Sequence, residues 1–356
     1  MTVSVKSQSA AKPRIDAFDY LRGFFIVIII IDHLWRWPNL FQYVSGRGEL
    51  WVSAAEGFVI ISGLLVGYVR GYKNRRDPLK TVSAKLIKRG LLLYLWMLIT
   101  TVSLVAMSWM LNFKGSIAHF PEPKGDWISL ITNALRFDYV HTLTHFLYLY
   151  AIFLIIAPLA IWLLRIGKGW IIGVASVLLW WIGFVNHIEW LQWQVLFFVP
   201  AIAGYYLDTI TAKLQQLTTA TRALLQYGFI FATIAMLVVS SAIILPADPG
   251  MFQHTLFSRE PLTIERVILS FIWFIGLVSL FQLAMPLLKR YLGWLLRVFG
   301  GHSLTAYIVH IFPLMLCQLL VSDTNNFWIN SLLVIVCVLL TWTILKIPNI
   351  NKVIPH

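Results

Sequence analysis

The chain has 356 residues, of which 59% are hydrophobic and only 12% are charged, and its mean hydropathy is +0.78. Soluble domains are roughly half apolar and a quarter charged, so this composition excludes a soluble globular protein and predicts an integral membrane protein. The excess of 28 Lys and Arg over 15 Asp and Glu falls between long apolar runs, which indicates membrane topology rather than nucleic-acid binding. Cys317 and Cys337 lie inside apolar runs without His or Cys at metal-ligand spacing, so neither a disulfide framework nor a metal site is expected.

Apolar runs of the length needed to cross a bilayer, about 20 residues, occur repeatedly along the chain. They predict an all-α bundle of about ten transmembrane helices at residues 19–37, 52–69, 90–111, 144–164, 170–186, 191–207, 225–245, 266–286, 302–321 and 327–345. Lys and Arg concentrate on the cytoplasmic side of membrane proteins. Because most of the 28 lie in the two terminal tails and in alternate loops, both termini are predicted to be cytoplasmic.

The whole chain, residues 1–356, is predicted to form a single membrane domain, because no linker, low-complexity tract or repeat divides it. Residues 1–18 are expected to form a basic cytoplasmic tail. The first span lacks a small-residue cleavage site, which predicts a retained anchor rather than a cleaved signal peptide. Residues 112–142 form an external loop that is either a partly ordered lid or acceptor rim, or a plain solvated connection.

The first span carries ionisable side chains, which are costly inside a membrane and are therefore functional candidates. Arg22 and His33 lie on one face of the helix, about 16 Å apart along its axis. Asp19 precedes Arg22 by three residues and is expected to orient it through an i,i+3 ion pair. Asp32 points roughly 100° away from His33. The alternative role for Arg22 is that of a snorkelling topology anchor.

The second span carries Glu56 about as deep as His33 in the antiparallel first span, so the two side chains are expected at similar depth. A carboxylate at that place would orient the imidazole or stabilise its charged form. The alternative is that Glu56 only forms a packing hydrogen bond. Gly63 and Gly67 have the spacing that lets membrane helices approach closely.

Basic residues crowd the start of the third span, where they form a patch that can bind phosphate groups of a lipid or of a nucleotide-bearing donor. The positive-inside rule explains most of this patch, including Arg70 and Lys73. Lys85, Lys88 and Arg89 continue into the helix and are the functional candidates. The later histidines, including His145 and His310, each have a structural alternative as hydrogen-bonded residues of the bundle.

Two segments of the chain resemble a known family. Arg22 and His33 are separated by ten residues, as in the signature of the membrane acyltransferase-3 superfamily, and Asp32-His33 ends the span as in its OpgC branch, the succinyltransferases of periplasmic glucans. The segment Ser53-Ala54-Ala55-Glu56-Gly57-Phe58, leading into Ser62-Gly63, is also similar to that branch. The resemblance extends over essentially all ten predicted spans. It departs at Lys85-x-x-Lys88, where the superfamily has a pair of arginines, and at residues 186–189, where the branch tends to have Asn-Pro.

The resemblance implies a bacterial inner-membrane enzyme that transfers an acyl group, succinyl or acetyl, from a cytoplasmic acyl-coenzyme A to a hydroxyl of an extracytoplasmic glucan or other carbohydrate. Acyl-coenzyme A would be a co-substrate, and no permanently bound cofactor or metal is expected. His33 would be the general base or the acyl carrier. Glu56 would set the tautomer of His33, and Asp32 is the alternative residue for that role. Arg22, Lys85, Lys88 and Arg89 would bind the donor, and His145 and His310 are candidates for contacting the acceptor.

Two rival functions remain open from the residues alone. A bundle with intramembrane Asp, His, Glu and Arg is also typical of a proton-coupled transporter or flippase, although neither an inverted repeat nor paired Gly/Pro-broken helices are visible. A non-catalytic membrane anchor or sensor is disfavoured, because the chain lacks a soluble output domain and because His33 and Glu56 have matching depths.

Overall fold

A computed structural model of the protein describes residues 16–111, 123–247, 256–348 and 350. In these ranges the chain is helical, and its only β-structure is an isolated bridge between Arg259 and Leu262. The α-helices are α1 (Asp16–Leu34), α2 (Gln42–Ser45), α3 (Ala54–Leu65), α4 (Leu79–Leu111), α5 (Trp127–Arg136), α6 (His145–Arg165), α7 (Gly169–Val185), α8 (Glu189–Trp193), α9 (Val195–Tyr205), α10 (Leu207–Gln216), α11 (Thr219–Ile244), α12 (Ile264–Tyr291), α13 (Gly293–Gly301), α14 (Ser303–Val309), α15 (Ile311–Leu320) and α16 (Phe327–Leu345).

Three short segments connect some of these helices: 3-10 turns at Gly46–Gly48 and Thr142–Thr144, and a π-helical segment at Val66–Lys73 that continues α3. Residues 1–15 of the predicted cytoplasmic tail and residues 112–122 of the predicted external loop lie outside the described residues. The described remainder of that loop contains α5, so this part is a folded element that packs on α4.

Seven helical segments of the described chain are long and apolar enough to cross a membrane. They are Ala54–Lys73, Leu79–Leu111, Thr142–Arg165, Thr219–Ile244, Ile264–Tyr291, Ser303–Leu320 and Phe327–Leu345, and an eighth arises if Glu189–Tyr205 and Leu207–Gln216, which meet at a 64° bend, count as one span. These coincide with predicted spans. The protein is therefore a multi-pass helical membrane protein.

The predicted count of ten spans includes two further helices, α1 and α7, that do not meet the same criterion. α7 has only 17 residues, which is shorter than the roughly 20 residues needed for a perpendicular crossing. α1 has 19 residues but contains Asp19, Arg22 and Asp32. Charged residues lower the apolarity of α1, and other helices of the bundle surround it.

α1 lies at the centre of the bundle, where it packs against α3, α12, α13, α14 and α16. Its apolar side chains point in all directions and are buried, with Leu21, Phe25 and Ile26 completely inaccessible. A helix that is apolar all round is stable when other helices surround it. The polar groups of α1 are thereby held inside the protein rather than facing lipid.

Glycines bring the backbones of α3 and of the π-helical segment that continues it into direct contact with α9. A Cβ atom added to Gly63 or Gly67 would overlap the backbone carbonyl of Phe197 or Ala201, and one added to Gly204 would overlap that of Leu64. The spacing of Gly63 and Gly67 predicted such a close approach, and the structure identifies α9 as the partner.

The helices that follow α12 are broken at two histidines. His302 separates α13 from α14, and His310 separates α14 from α15. Pro313 lacks the N–H group that would bond to the carbonyl of Val309, which weakens the helix at this turn. The break places His310 deep in the bundle beside α1.

The two cysteines lie on neighbouring helices, Cys317 on α15 and Cys337 on α16. Both thiols are free and buried, and their sulfur atoms are 3.1 Å apart. The two side chains therefore contact each other where α15 packs on α16. Their sequence positions did not predict this contact.

Candidate active site

A basic cavity of about 360 Å³ opens at one end of the bundle, between α1, the π-helical segment, α4 and α6. We call this side of the molecule the basic end. Five cationic side chains line the cavity, from Arg22, Arg70, Lys73, Lys85 and Arg89, against a single carboxylate, from Asp19. Three of the four predicted donor-binding residues are thus brought together. The fourth, Lys88, is exposed on α4 and does not line the cavity.

Arg22 is fixed by contacts across the bundle. Its guanidinium donates a hydrogen bond to Oγ of Ser303 at 2.5 Å, at the start of α14, and lies 3.9 Å from Asp19. The i,i+3 pairing predicted for Asp19 is therefore present. An arginine held between helices and facing a cavity is placed for binding, which a snorkelling anchor would not require.

Arg70 and Lys73 reach the cavity because the backbone forms a π-helical turn there. The amide of Asn74 bonds to the carbonyl of Val69, which is the i+5 pattern of a π-helix. Such turns are frequent at functional sites. Arg165 braces the turn by donating to the carbonyls of Arg70, Asn74 and Asp77.

The sequence analysis attributes Arg70 and Lys73 to topology alone, because nothing in the local pattern distinguishes a π-helical turn from an α-helix. Together with the other three cations they create a strongly positive concavity. Concentrated positive charge with guanidinium groups matches phosphate esters, which form charge-assisted and bidentate hydrogen bonds with arginine.

A pair of histidines lies at the opposite end of α1, which we call the histidine end. Nδ1 of His33 and Nε2 of His310 are 2.9 Å apart, within hydrogen-bond distance. His310 is completely buried, whereas His33 is partly accessible. The ring of Tyr307 contacts both imidazoles. The tertiary structure thus pairs His33 with a residue that the sequence analysis assigns to acceptor binding.

The hydrogen bond between the histidines restricts the chemistry of His33. One neutral tautomer of His33 carries its proton on Nδ1, donates it to His310, and leaves a lone pair on Nε2. In the other tautomer His310 is the donor and Nε2 of His33 carries a proton. The first arrangement is that of a general base, because the free nitrogen can accept a proton from a hydroxyl group.

Glu56 forms contacts other than the predicted one with His33. Its Oε1 accepts a hydrogen bond from Nε of Arg266 at 2.7 Å, and its Oε2 accepts from the backbone N–H and the hydroxyl of Ser53 at 2.9 and 2.6 Å. Glu56 and Arg266 are both buried. Both carboxylate oxygens are therefore occupied, and the partner of the His33 ring is His310.

The sequence contains the signal for part of this arrangement. Ser53-Ala54-Ala55-Glu56 is a capping box, in which the N-cap serine and the glutamate three residues later satisfy each other's backbone donors at a helix start. Arg266 lies on α12 and neutralises the charge of Glu56. No local sequence pattern identifies Arg266 as the partner of Glu56.

Asp32 also faces away from the imidazole pair. Its carboxylate accepts a hydrogen bond from Ser45, and a Cβ on Gly48 would lie 3.5 Å from it. The carboxylate is thus directed toward the turn at residues 45–48, on a different side of α1 from His33, in keeping with the roughly 100° offset between the two residues. Asp32 therefore does not take the orienting position that the sequence analysis holds open for it.

His145 belongs to a separate polar group near the histidine end. Its Nε2 is 2.6 Å from Oε2 of Glu189, and its ring contacts that of Tyr148. Both members of the pair are partly accessible. The structure therefore separates His145 from His310, which sits in the histidine pair.

The loop before α12 carries one more cation near the histidines, which the sequence analysis did not select. The charge of Arg259 acts on His33, Asp32 and Tyr307. No motif in the sequence singles this residue out, because its position depends on how the loop folds back over the bundle.

Comparison with known proteins places these features in a family. A family model described as OpgC protein matches residues 13–349 of the chain. Neither a curated protein nor a solved structure matches the chain significantly. The matched range includes both the basic cavity and the histidine pair.

Proposed function

The chain belongs to the OpgC protein family, and from this premise we propose that it is a membrane-bound O-acyltransferase. It moves an acyl group, succinyl or acetyl, from a cytoplasmic acyl-coenzyme A to a hydroxyl of an extracytoplasmic glucan or other carbohydrate. The observation that carries this proposal is the layout of α1. One buried helix presents Arg22 to a basic cavity at one end and His33 to a histidine pair at the other.

The orientation of the protein follows from its charges. The basic end faces the cytoplasm because Lys and Arg concentrate there, and the histidine end faces outward in the bacterial inner membrane. With α1 and α7 counted as spans beside the bent segment, the bundle crosses the bilayer ten times and both termini are cytoplasmic. Each reactant then approaches from its own side of the membrane.

The donor binds with its phosphates among the cations of the basic cavity. The pantetheine arm follows α1 over the roughly 16 Å between Arg22 and His33. This arrangement delivers the thioester to the partly accessible His33 while the charged part of the donor stays at the cytoplasmic side.

Acyl transfer then uses His33 as the base. The acceptor hydroxyl gives its proton to Nε2 of His33 while its oxygen attacks the thioester carbonyl carbon. The resulting tetrahedral intermediate collapses, the carbon–sulfur bond breaks, and the leaving thiolate takes the proton from His33. The products are an O-acyl ester and coenzyme A. Transfer through an acylated His33 is the alternative route with the same products.

The remaining site residues have supporting roles in this proposal. His310 orients His33, and the Glu56–Arg266 pair holds the start of α3 against α12 beside the site. The His145–Glu189 pair is accessible at the same side and provides polar groups for a carbohydrate hydroxyl.

The proposal is tested by thioester consumption with purified protein in detergent, using succinyl- and acetyl-coenzyme A and mixed glucan acceptors. His33→Ala should abolish turnover, whereas His302→Ala, a partly buried histidine outside both sites, should retain it. Arg22→Ala should raise the donor KM more than it lowers kcat at saturating donor.

Equal turnover by the wild type and His33→Ala would remove His33 from the mechanism. An unchanged donor KM in Arg22→Ala would leave Arg22 as a topology anchor. Absence of any thioester consumption, combined with gradient-dependent uptake of a substrate, would support the proton-coupled transporter.

A further inference from the structure

A second cavity opens at the basic end, on the other side of α1 from the basic cavity. It has a volume of about 530 Å³ and lies between the start of α1, the end of α12 and α13. Its lining includes the side chains of Asp16 and Tyr20, the cations of Lys289 and Arg297, and the indole of Trp294. The second cavity therefore offers charged and hydrogen-bonding groups to a ligand.

α1 separates the two cavities. Asp16 and Tyr20 lie one turn apart and line the second cavity, whereas Arg22, which points about 200° away from Tyr20 around the helix, lines the basic cavity. α13 packs directly on α1 beside them, since a Cβ atom added to Gly23 would overlap the backbone carbonyl of Leu296. The second cavity shares no lining residue with the basic cavity and is a separate site.

The hydroxyl of Tyr20 is the buried polar group of the second cavity. Tyr20 is only 6% exposed, and its hydroxyl forms no hydrogen bond with any residue that the structure describes. The hydroxyl lies beside Gly293 in the cavity lining, where an added Cβ atom would be 3.0 Å from its oxygen. Buried polar groups are nearly always hydrogen-bonded. The free hydroxyl therefore indicates a ligand that accepts a hydrogen bond inside the cavity.

The charges of the second cavity favour an anion. Lys289 forms an ion pair with Asp16, so these two charges cancel. Arg297 is exposed, and among the described residues it has neither a hydrogen bond nor an ion pair. A guanidinium and a hydroxyl together donate hydrogen bonds to the oxygens of a phosphate group, and the uncompensated positive charge strengthens this interaction.

The surface beside the second cavity is suited to lipid chains. Trp294 is half exposed and contacts Trp342 of α16, with ring centroids 5.2 Å apart, and the ammonium of Lys346 lies 3.6 Å from the centroid of Trp342. Tryptophans are enriched where a membrane meets water. The exposed side chains of Ile335 and Leu339 share a face of α16 with Trp342 and Lys346. An apolar stripe thus leads from the membrane to the cavity.

We propose that the second cavity binds the phosphate of an anionic phospholipid from the leaflet at the basic end. Arg297 and the hydroxyl of Tyr20 hold the phosphate, and the acyl chains lie along α16 beyond the two tryptophans. Basic pockets between membrane helices bind lipid headgroups in this way. A lipid in this place joins α1 to α13 and is independent of whether the protein transfers an acyl group.

The test measures the dissociation constant of dioctanoyl phosphatidylglycerol by native mass spectrometry of delipidated protein in neutral detergent, with dioctanoyl phosphatidylcholine as the zwitterionic counterpart. We expect the anionic lipid to bind more tightly. Arg297→Gln should weaken its binding on the order of 10- to 100-fold, the range for loss of one charged hydrogen-bonding contact. Tyr20→Phe retains the buried ring and should weaken binding roughly 2- to 10-fold, as expected for one neutral hydrogen bond.

The matched control is Arg222→Gln, which removes an exposed arginine from the start of α11 at the same end of the protein. This variant should bind the anionic lipid as the wild type does. An equal loss in Arg222→Gln and Arg297→Gln would overturn the inference, because the effect would then depend on overall charge. Unchanged binding in Arg297→Gln would overturn it as well, and so would equal affinities for the two lipids.

Two competition experiments separate this site from other sources of phosphate. Inorganic phosphate that displaces the lipid at equal concentration, with the same loss in Arg297→Gln, would assign the cavity to a soluble phosphate and overturn the lipid proposal. Displacement of the lipid by coenzyme A would make the cavity part of the donor site and also overturn it. Neither readout uses thioester consumption, so failure of the proposed acyltransferase function would be a distinct result.

Discussion

In the proposed mechanism His310 orients His33 through a ring nitrogen, whereas many hydrolytic sites orient the catalytic imidazole with a carboxylate. An imidazole partner holds the plane of the His33 ring without adding a negative charge, and the tautomer in which Nδ1 of His33 donates to His310 leaves Nε2 free. This arrangement ties the orientation of the His33 ring to the position of His310. It also makes the geometry of the base depend on the helix break between α14 and α15.

Loss of His310 should reduce turnover and leave donor binding intact. His310→Ala removes the acceptor for Nδ1 of His33, so the ring can adopt the unproductive tautomer, and we expect kcat to fall on the order of 100-fold. His310→Gln, whose amide oxygen can accept the same hydrogen bond, should recover part of the loss. Steady-state kinetics of thioester consumption measure both effects, and a changed donor KM with unchanged kcat would contradict the orienting role.

The pairing of Glu56 with Arg266 predicts a stability effect. Glu56→Gln leaves the buried guanidinium without its counter-charge and should lower the free energy of unfolding by about 3–5 kcal/mol, measured by denaturant titration in detergent. The double variant Glu56→Gln/Arg266→Met should recover much of that loss. As a control, Asp16→Asn breaks the exposed pair with Lys289 and should cost no more than about 1 kcal/mol.

The same double variant separates the two roles considered for Glu56. If Glu56 only stabilises the start of α3, activity should return together with stability. A stable double variant that lacks activity would show that the carboxylate also acts in the reaction, as the sequence analysis predicts.

The contact between α3 and α9 aligns the π-helical segment with the cavity, since α9 packs on both α3 and that segment. The glycines place the backbones in direct contact, and Arg70 and Lys73 follow Gly67 within three and six residues on the same segment. The position of these cavity-lining cations is therefore tied to the helix pair.

Gly63→Ala should destabilise the protein by about 1–3 kcal/mol, because its methyl group has no space beside the carbonyl of Phe197. Gly228→Ala is the matched control on α11, where the added carbon would meet no neighbouring helix within 4 Å. It should be neutral or stabilising by up to about 1 kcal/mol, the difference in helix propensity. Equal unfolding midpoints for the two variants would argue against the close packing of α3 and α9.

The two ends of the protein differ in chemistry, and this difference predicts a sided reaction. In sealed inverted vesicles the basic end faces the medium. We expect thioester consumption with acyl-coenzyme A outside and the carbohydrate inside, and none when both are outside only. Vesicles with His33→Ala provide the background, and permeabilisation with detergent should abolish the sidedness. Full activity with both substrates outside sealed vesicles would contradict the transmembrane arrangement.

The sequence alone determined that the protein is a helical membrane protein and that Arg22 and His33 share one face of α1. Both depend on local properties of the chain: the length of apolar runs, the placement of Lys and Arg, and the periodicity of a single helix. The capping box at Ser53 and Glu56 is an equally local signal, although the sequence analysis did not use it.

Only the tertiary structure decided which groups meet. His33 pairs with His310 across 277 positions, and Glu56 pairs with Arg266 across 210. The π-helical turn directs Arg70 and Lys73 into the cavity that contains Arg22. The periodicity of a sequence determines which residues share a face of one helix. Which helix packs against that face depends on the packing angles of all the helices, and these depend on the entire sequence.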